Sequence, residues 1–173
     1  MTVRARLLAT ILIAAGAVPL MAATGPSDAE IAHIAYTAGA IDAAAAKQAL
    51  AKSHDAQVRS FAEVMLRDHE AVNDKALALV KKLKVTPADN ATSQALAAQA
   101  KATEAKLAAL DGAAFDRAYV QNEVAFHRTV NGALKSTLIP EADNQELKGL
   151  LETGLALFGE HQTHAEHLAA SLK

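Results

Sequence analysis

The chain has 173 residues, of which 51% are hydrophobic, 21% charged and only 3% aromatic, and its formal charge is −2. That length suits one domain with a substantial core, and a near-neutral charge with Lys and Arg spread along the chain gives no footprint for nucleic acid. Cysteine is absent, which excludes disulfides, thiolate zinc sites, covalently attached c-type haem and a lipoprotein anchor.

Alanine occurs 43 times, Trp not at all, and Gly and Pro are few. Alanine is the best helix former and β-branched residues are sparse, so the composition predicts an all-α chain. Arg4 and Arg6 precede the apolar run from Leu7 to Val18, then Pro19 and the small pair Ala22-Ala23. This is the order of a secretory signal. Residues 1–23 are therefore expected to be a cleaved leader and residues 24–173 the mature domain. Cleavage removes Arg4 and Arg6 and no acidic residue, taking the charge from −2 to −4. No later segment is apolar enough to span a bilayer. The expected location is the periplasm, with outer-membrane association compatible.

Ser27-Asp28 is a plausible helix N-cap with Glu30 in the first turn, and a first helix is predicted to about Lys52. Its inner face carries Ile31, Ile34, Ala35, Ala38, Ile41 and Ala45, with Asp42 beside it. Ser53-His54-Asp55 makes a tight break. The second helix, Asp55 to about Lys84, has apolar residues at Val58, Phe61, Ala62, Met65, Val72, Ala76, Leu79 and Leu83. That spacing is what one buried helical face requires, yet His69 sits in the middle of it. Thr86-Pro87 prevents continuation. Asp89 to Leu110 is helical but polar, with Leu96, Leu107 and Leu110 its only large apolar residues. It is expected to lie across the bundle as a crossover, about 27 Å long for 18 residues.

Asp111-Gly112 breaks the chain again. A third core helix runs from about Ala113 to Leu138, where Pro140 ends it. One stripe carries Phe115, Tyr119, Asn122, Phe126, Val130 and Ala133; the adjacent one carries Asp116, Glu123 and His127. Asp143 is the expected N-cap of a fourth, which buries Leu147, Leu150, Gly154, Leu157, Phe158, Ala165 and Leu168 and is interrupted by His161. The architecture expected is a ferritin-like four-helix bundle with an additional helix in the long connection between the second and third core helices, which then run parallel.

The residues able to carry chemistry are Asp42, His69, Glu123, His127 and His161. Imidazole and carboxylate hold zinc, iron or copper where thiolates are lacking, and bundles build metal sites from facing helices. Counting along the helices puts His69 and His127 level, but His161 some ten ångströms or more from His127. Two small polar layers are therefore expected rather than one site. The bland readings are a hydrogen-bonded core histidine for His69, a surface pair for Glu123–His127, and a solvated edge for His161, His164 and His167. His33 and His54, at helix ends, are expected to be exposed. Di-iron bundles need Glu-x-x-His twice, whereas this chain has it only at Glu30–His33.

The run Phe61-Ala62, Leu66-Arg67-Asp68-His69, then Phe115-Asp116, Ala118-Tyr119, His127, and His161, His164-Ala165, Leu168 resembles the domain-of-unknown-function 4142 family. The resemblance covers about Asp28 to Leu172. It implies an exported bacterial protein with a ferritin-like bundle, often labelled outer-membrane or periplasmic, and no established activity. Asp42 stands where that family tends to have Glu. The leading functional expectation is a non-enzymatic module for envelope stress or for binding, whose partner is a second copy or an envelope protein. The alternative is a metal-storage or sequestration protein; a di-metal redox enzyme is disfavoured.

Overall fold

The computed structural model describes residues 25–172, and the expected leader, residues 1–23, lies outside them. Among the described residues there is no strand. The helices are α1 (Asp28–Lys52), α2 (Ala56–Leu83), α3 (Ala91–Ala108), α4 (Gly112–Ala133), the short α5 (Ile139–Glu141) and α6 (Gln145–Ser171), with a π-helical segment at Leu134–Leu138. Side-chain caps fix most of the starts. Ser27 and Glu30 form a reciprocal capping box, Asp55 accepts from Gln57 and Val58, and Asn144 accepts from Glu146 and Leu147. Each satisfies backbone N–H groups that the first turn leaves without partners.

Side-chain pairings give the directions. Asp68 meets His161 while Lys82 meets Glu146, so α2 and α6 are antiparallel. Arg128 meets Glu166 and Asn131 reaches Phe158, so α4 and α6 are antiparallel as well. Hence α2 and α4 run parallel, the ferritin-like connectivity. Helix α3 makes the crossover. It lies along α1, to which it is tied by Gln48 donating to the Glu104 carbonyl and Lys52 donating to the Ala108 carbonyl, and it buries only Ser93 and Leu107.

This placement moves two expected stripes. Ile41 and Ala45 on α1, and Asn122 and Phe126 on α4, are only half-buried because they face α3. The deepest stripes are the neighbouring ones, which carry Asp42 on α1 and Glu123 and His127 on α4. The core is thereby divided. Val58, Phe61, Met65, Phe115, Tyr119 and Leu168 pack at the end near the α1–α2 turn; Ile31, Ile34, Leu134, Leu138, Leu147 and Leu151 pack at the other. The polar residues lie between.

Pro140 does not end the third core helix. The chain widens into the π segment, closed by the Ile139 N–H on the Leu134 carbonyl, and continues helically to Glu141. A regular α-helix would drive the proline ring into the Ser136 carbonyl, and the wider turn relieves that clash.

Lys84, which caps α2, is the one non-glycine residue at positive φ among the described residues, at 56°. A side chain in the left-handed region is strained, so Lys84→Gly should stabilise the protein by about 0.5–1 kcal/mol in urea unfolding. An unchanged or lower midpoint would contradict the assignment of strain there.

Candidate metal centre

All five candidate residues turn inward, and none is more than 3% exposed. Helix α1 supplies Asp42, α2 His69, α4 both Glu123 and His127 one turn apart, and α6 His161. Two groups overlap at His127. One is His69, His127 and His161; the other is Asp42, Glu123 and His127. Within each, one ligating atom from every residue lies within 4.8 Å of the others. The three imidazole rings are 5.3 to 5.6 Å apart, centre to centre.

Each ring is held in a different way. His127 Nδ1 lies 3.0 Å from the Glu123 carbonyl, a geometry that places the proton on Nδ1 and leaves Nε2 as a free lone pair. His161 Nε2 lies 3.0 Å from Asp68 Oδ2, which leaves Nδ1 free; Arg67 holds Asp68 in turn at 2.8 Å. His69 has no hydrogen bond on either nitrogen. Its plane is set by stacking on Phe158, 4.6 Å away and inclined by 13°. Phe158 is seated over Gly154, where an added Cβ would come within 3.3 Å of the ring.

Burial keeps the rings neutral. It pushes His69 down to about 3, helped by the other two imidazoles, and His127 down to about 4 against the pull of its carbonyl partner. His161 is lowered by burial and partly restored by Asp68. Desolvation acts oppositely on the acids. Asp42 is raised, first by burial and then by the charge of Glu123, and burial lifts Glu123 to about 7. Written as ionised carboxylates, both Glu123 oxygens lack a donor; a proton held on the pair supplies the missing hydrogen bond. Tyr119, one turn before Glu123, points a buried and unpartnered hydroxyl into this end of the cluster.

One pair of donors stands at the separation a tetrahedral ion sets, and the others stand wider. Donors about 2.0–2.1 Å from a tetrahedral zinc ion stand roughly 3.3 Å apart. His69 Nε2 is 3.3 Å from Asp42 Oδ2, and His127 Nε2 is 4.0 Å from the same oxygen. A di-iron set does not fit. Only Asp42 and Glu123 supply carboxylates to the two groups, whereas that chemistry needs four.

His161 thus stands beside His127 and not ten ångströms away. Because the third core helix continues to Glu141 and α6 starts at Gln145, His161 counts to the level of residue 125, about 3 Å along the axis from His127. Side chains lean toward their own helix N-terminus, which brings these two antiparallel residues together. His54, His164 and His167 are exposed and His33 is half-buried. Residue periodicity gave no reason to single out Asp68 or Phe158 as supports of the layer; Asp68 pairs with Arg67 and His161 at once.

An all-α bundle with ferritin-like connectivity and a buried histidine–carboxylate layer is the class that fold and site define. The family described as "Domain of unknown function (DUF4142)" matches residues 15–168, and the chain belongs to that family. Among solved structures, a DUF305 protein of Streptomyces coelicolor, assigned as secreted, is similar with a TM-score of 0.70 at 15% identity, over 83% of this chain and 92% of that one. At that identity the likeness shows the fold. No curated protein sequence matches the chain.

Two stability measurements follow for the metal-free protein. His69→Leu removes a buried group with no hydrogen bond at nearly constant volume, and should raise stability by about 1–2 kcal/mol; a loss of that size would mean that a network holds the ring. Glu123 retains its proton in the fold after the unfolded chain has lost it, so its contribution falls as pH rises from 4.5 to about 7. The imidazoles, with lowered values, contribute the opposite slope below about 6.5, and it is common to both proteins. Glu123→Gln should therefore gain on wild type through that window, by on the order of 2–3 kcal/mol at pH 8. Parallel urea-unfolding profiles would show that Glu123 titrates normally.

Proposed function

We propose that this protein is an exported, non-enzymatic bundle that binds one divalent transition ion through His69, His127 and His161, with Asp42 and Glu123 beside it. The observation that carries this reading is the convergence of three neutral imidazoles whose free nitrogens make no hydrogen bond, with only Asp42 Oδ2 beside two of them at 3.3 and 4.0 Å. A core that only tolerated histidines would satisfy them from neighbouring carbonyls or hydroxyls. Two of the three are instead held from behind, by Asp68 and by the Glu123 carbonyl, the arrangement that orients metal-bound imidazoles. A nitrogen-rich set without thiolate suits zinc, copper or iron. Storage or sequestration is the role such a buried site serves.

Export is read from Arg4, Arg6, the apolar run Leu7 to Val18 and Ala22-Ala23, which points to the periplasm. Among the described residues no helix is long and apolar enough to cross a membrane.

Elemental analysis of the untagged mature chain should find one ion per chain. Zinc, copper or iron at about a hundred times its dissociation constant should raise the melting temperature by roughly 5–10 °C. Asp68→Ala should weaken binding about 10–100-fold, His69→Ala more than that, and His167→Ala not at all. Sub-stoichiometric metal with no gain in melting temperature from any of the three ions would sink the reading. Equal effects of His69→Ala and His167→Ala would show that the wrong histidines were chosen.

A further inference from the structure

The four bundle helices do not close on one another on the α1 N-terminal side of the histidine layer. A cavity of about 660 Å³ lies between them. Its walls are apolar, with Ile34, Val72, Leu134 and Leu151 from the four sides; Asp42 and His69 form its floor and Glu30 stands at its mouth. It exists because α2 buries nothing beyond His69. Val72, Ala76, Leu79 and Leu83, spaced as a core stripe, remain half-buried, and Lys82 reaches Glu146 on α6 only at the far end. An unfilled cavity of this size in a core is costly. A pocket of such volume, apolar with a few convergent polar groups, is the usual form of a small-molecule site.

The shape and polarity narrow the occupant. From Glu30 to Asp42 is about 18 Å along α1. At about 30 Å³ per atom-sized group, the space holds roughly twenty such groups, or one alkyl chain of about twelve to sixteen carbons with its head. Glu30, kept ionised by Ser27, repels an anionic head at the mouth. At the floor stand two buried polar side chains, His69, which makes no hydrogen bond on either nitrogen, and Asp42, whose Oδ2 lies 3.3 Å from His69 Nε2, so the polar end of a ligand belongs there and a methyl end does not. Zinc held by three protein ligands keeps a further position for an exchangeable group. We propose that the cavity binds one unbranched monocarboxylic acid, with its tail along the channel and its carboxylate on the ion at His69, His127 and His161. This rests on the metal-binding reading, because the head is anchored on that ion.

The test is calorimetry on the delipidated, untagged mature chain, with zinc content measured in parallel. Laurate should bind zinc-loaded protein at one per chain. Affinity should rise about threefold to fourfold per methylene from octanoate to laurate. Methyl laurate, lauroyl-lysophosphatidylcholine and chelator-stripped protein should each give binding at least tenfold weaker. Ala76→Leu, which fills the channel from α2, should abolish laurate binding and leave zinc content unchanged. Zinc bound without laurate binding overturns this inference and leaves the metal reading standing. Laurate bound equally well by chelator-stripped protein overturns the placement of the head, and a chain that takes up no zinc overturns the metal reading and with it this inference. Equal binding of the lysophospholipid would mean a tail-first ligand with its head at the mouth, and affinity that does not vary with chain length would mean binding outside the channel; either overturns the proposal.

Discussion

Five ionisable side chains cross the middle of a helical bundle with almost no protein donors or acceptors set aside for them. Removing such groups from water costs several kcal/mol each unless they are neutral or paired. The bundle meets this constraint mainly by neutrality. Burial holds the imidazoles uncharged and raises both acids, so the layer holds few full charges near neutral pH. Hydrogen bonds do the rest only on the outer side of the rings. What remains on the inner side is a set of unpartnered lone pairs, and that residue of unmet polarity makes the layer chemically different from an ordinary polar core. The apolar cores at either end exclude water and keep the effective dielectric low.

The layer depends on features some distance from it. The π segment carries the third core helix past Pro140, and the added turn sets the register of α6, so that His161 arrives beside His127. A helix ending at Leu138 would have left His161 opposite Tyr119 or Val120, among apolar side chains. Gly154 matters for a different reason: with no Cβ it leaves room for Phe158, whose ring fixes the plane of the one imidazole that lacks a hydrogen bond. Asp68 sits on α2 next to His69, yet serves the histidine of α6. Helices α2 and α6 thus hold each other's histidines, while α4 holds its own through the Glu123 carbonyl, and the layer is a property of their packing and not of any one segment.

Most of the fold was legible in the sequence because it rests on local signals. The cap at Ser27, the breaks at Ser53-His54-Asp55 and Thr86-Pro87, and the polar Ala-rich crossover are read from neighbouring residues alone, whereas α6 is capped by Asn144 and not by the expected Asp143. The five inward polar residues were also visible, as interruptions of apolar stripes or positions beside them. What could not be read was their convergence. Whether Asn122 and Phe126 or Glu123 and His127 face the centre depends on where α3 lies, and nothing local fixes that. The depth of His161 turned on whether a proline ends a helix or is accommodated by a wider turn, a choice decided by packing on α6. Asp68 stood out only as a member of the Leu66-Arg67-Asp68-His69 run, because its partner His161 is 93 positions along the chain.

The half-buried stripe on α2 raises a question that the histidine layer answers. Up to His69 the helix is sealed, with Val58, Phe61, Ala62 and Met65 fully covered; beyond it the same periodicity continues through Val72, Ala76 and Leu79 without full cover. A sequence under pressure only for a tight core would place larger residues opposite that stripe. Ala35 and Ala38 stand on α1 instead and line the open space. His69 belongs to both regions: its side chain lines the cavity beside Asp42, and one of its nitrogens lies within 4.8 Å of ligating atoms of His127 and His161. Any group entering the cavity must therefore change the surroundings of a candidate ligand, and any ion at the layer must change the polarity of the cavity floor. Coupling of that kind is reciprocal by thermodynamic necessity, and the shared ring gives it a physical route.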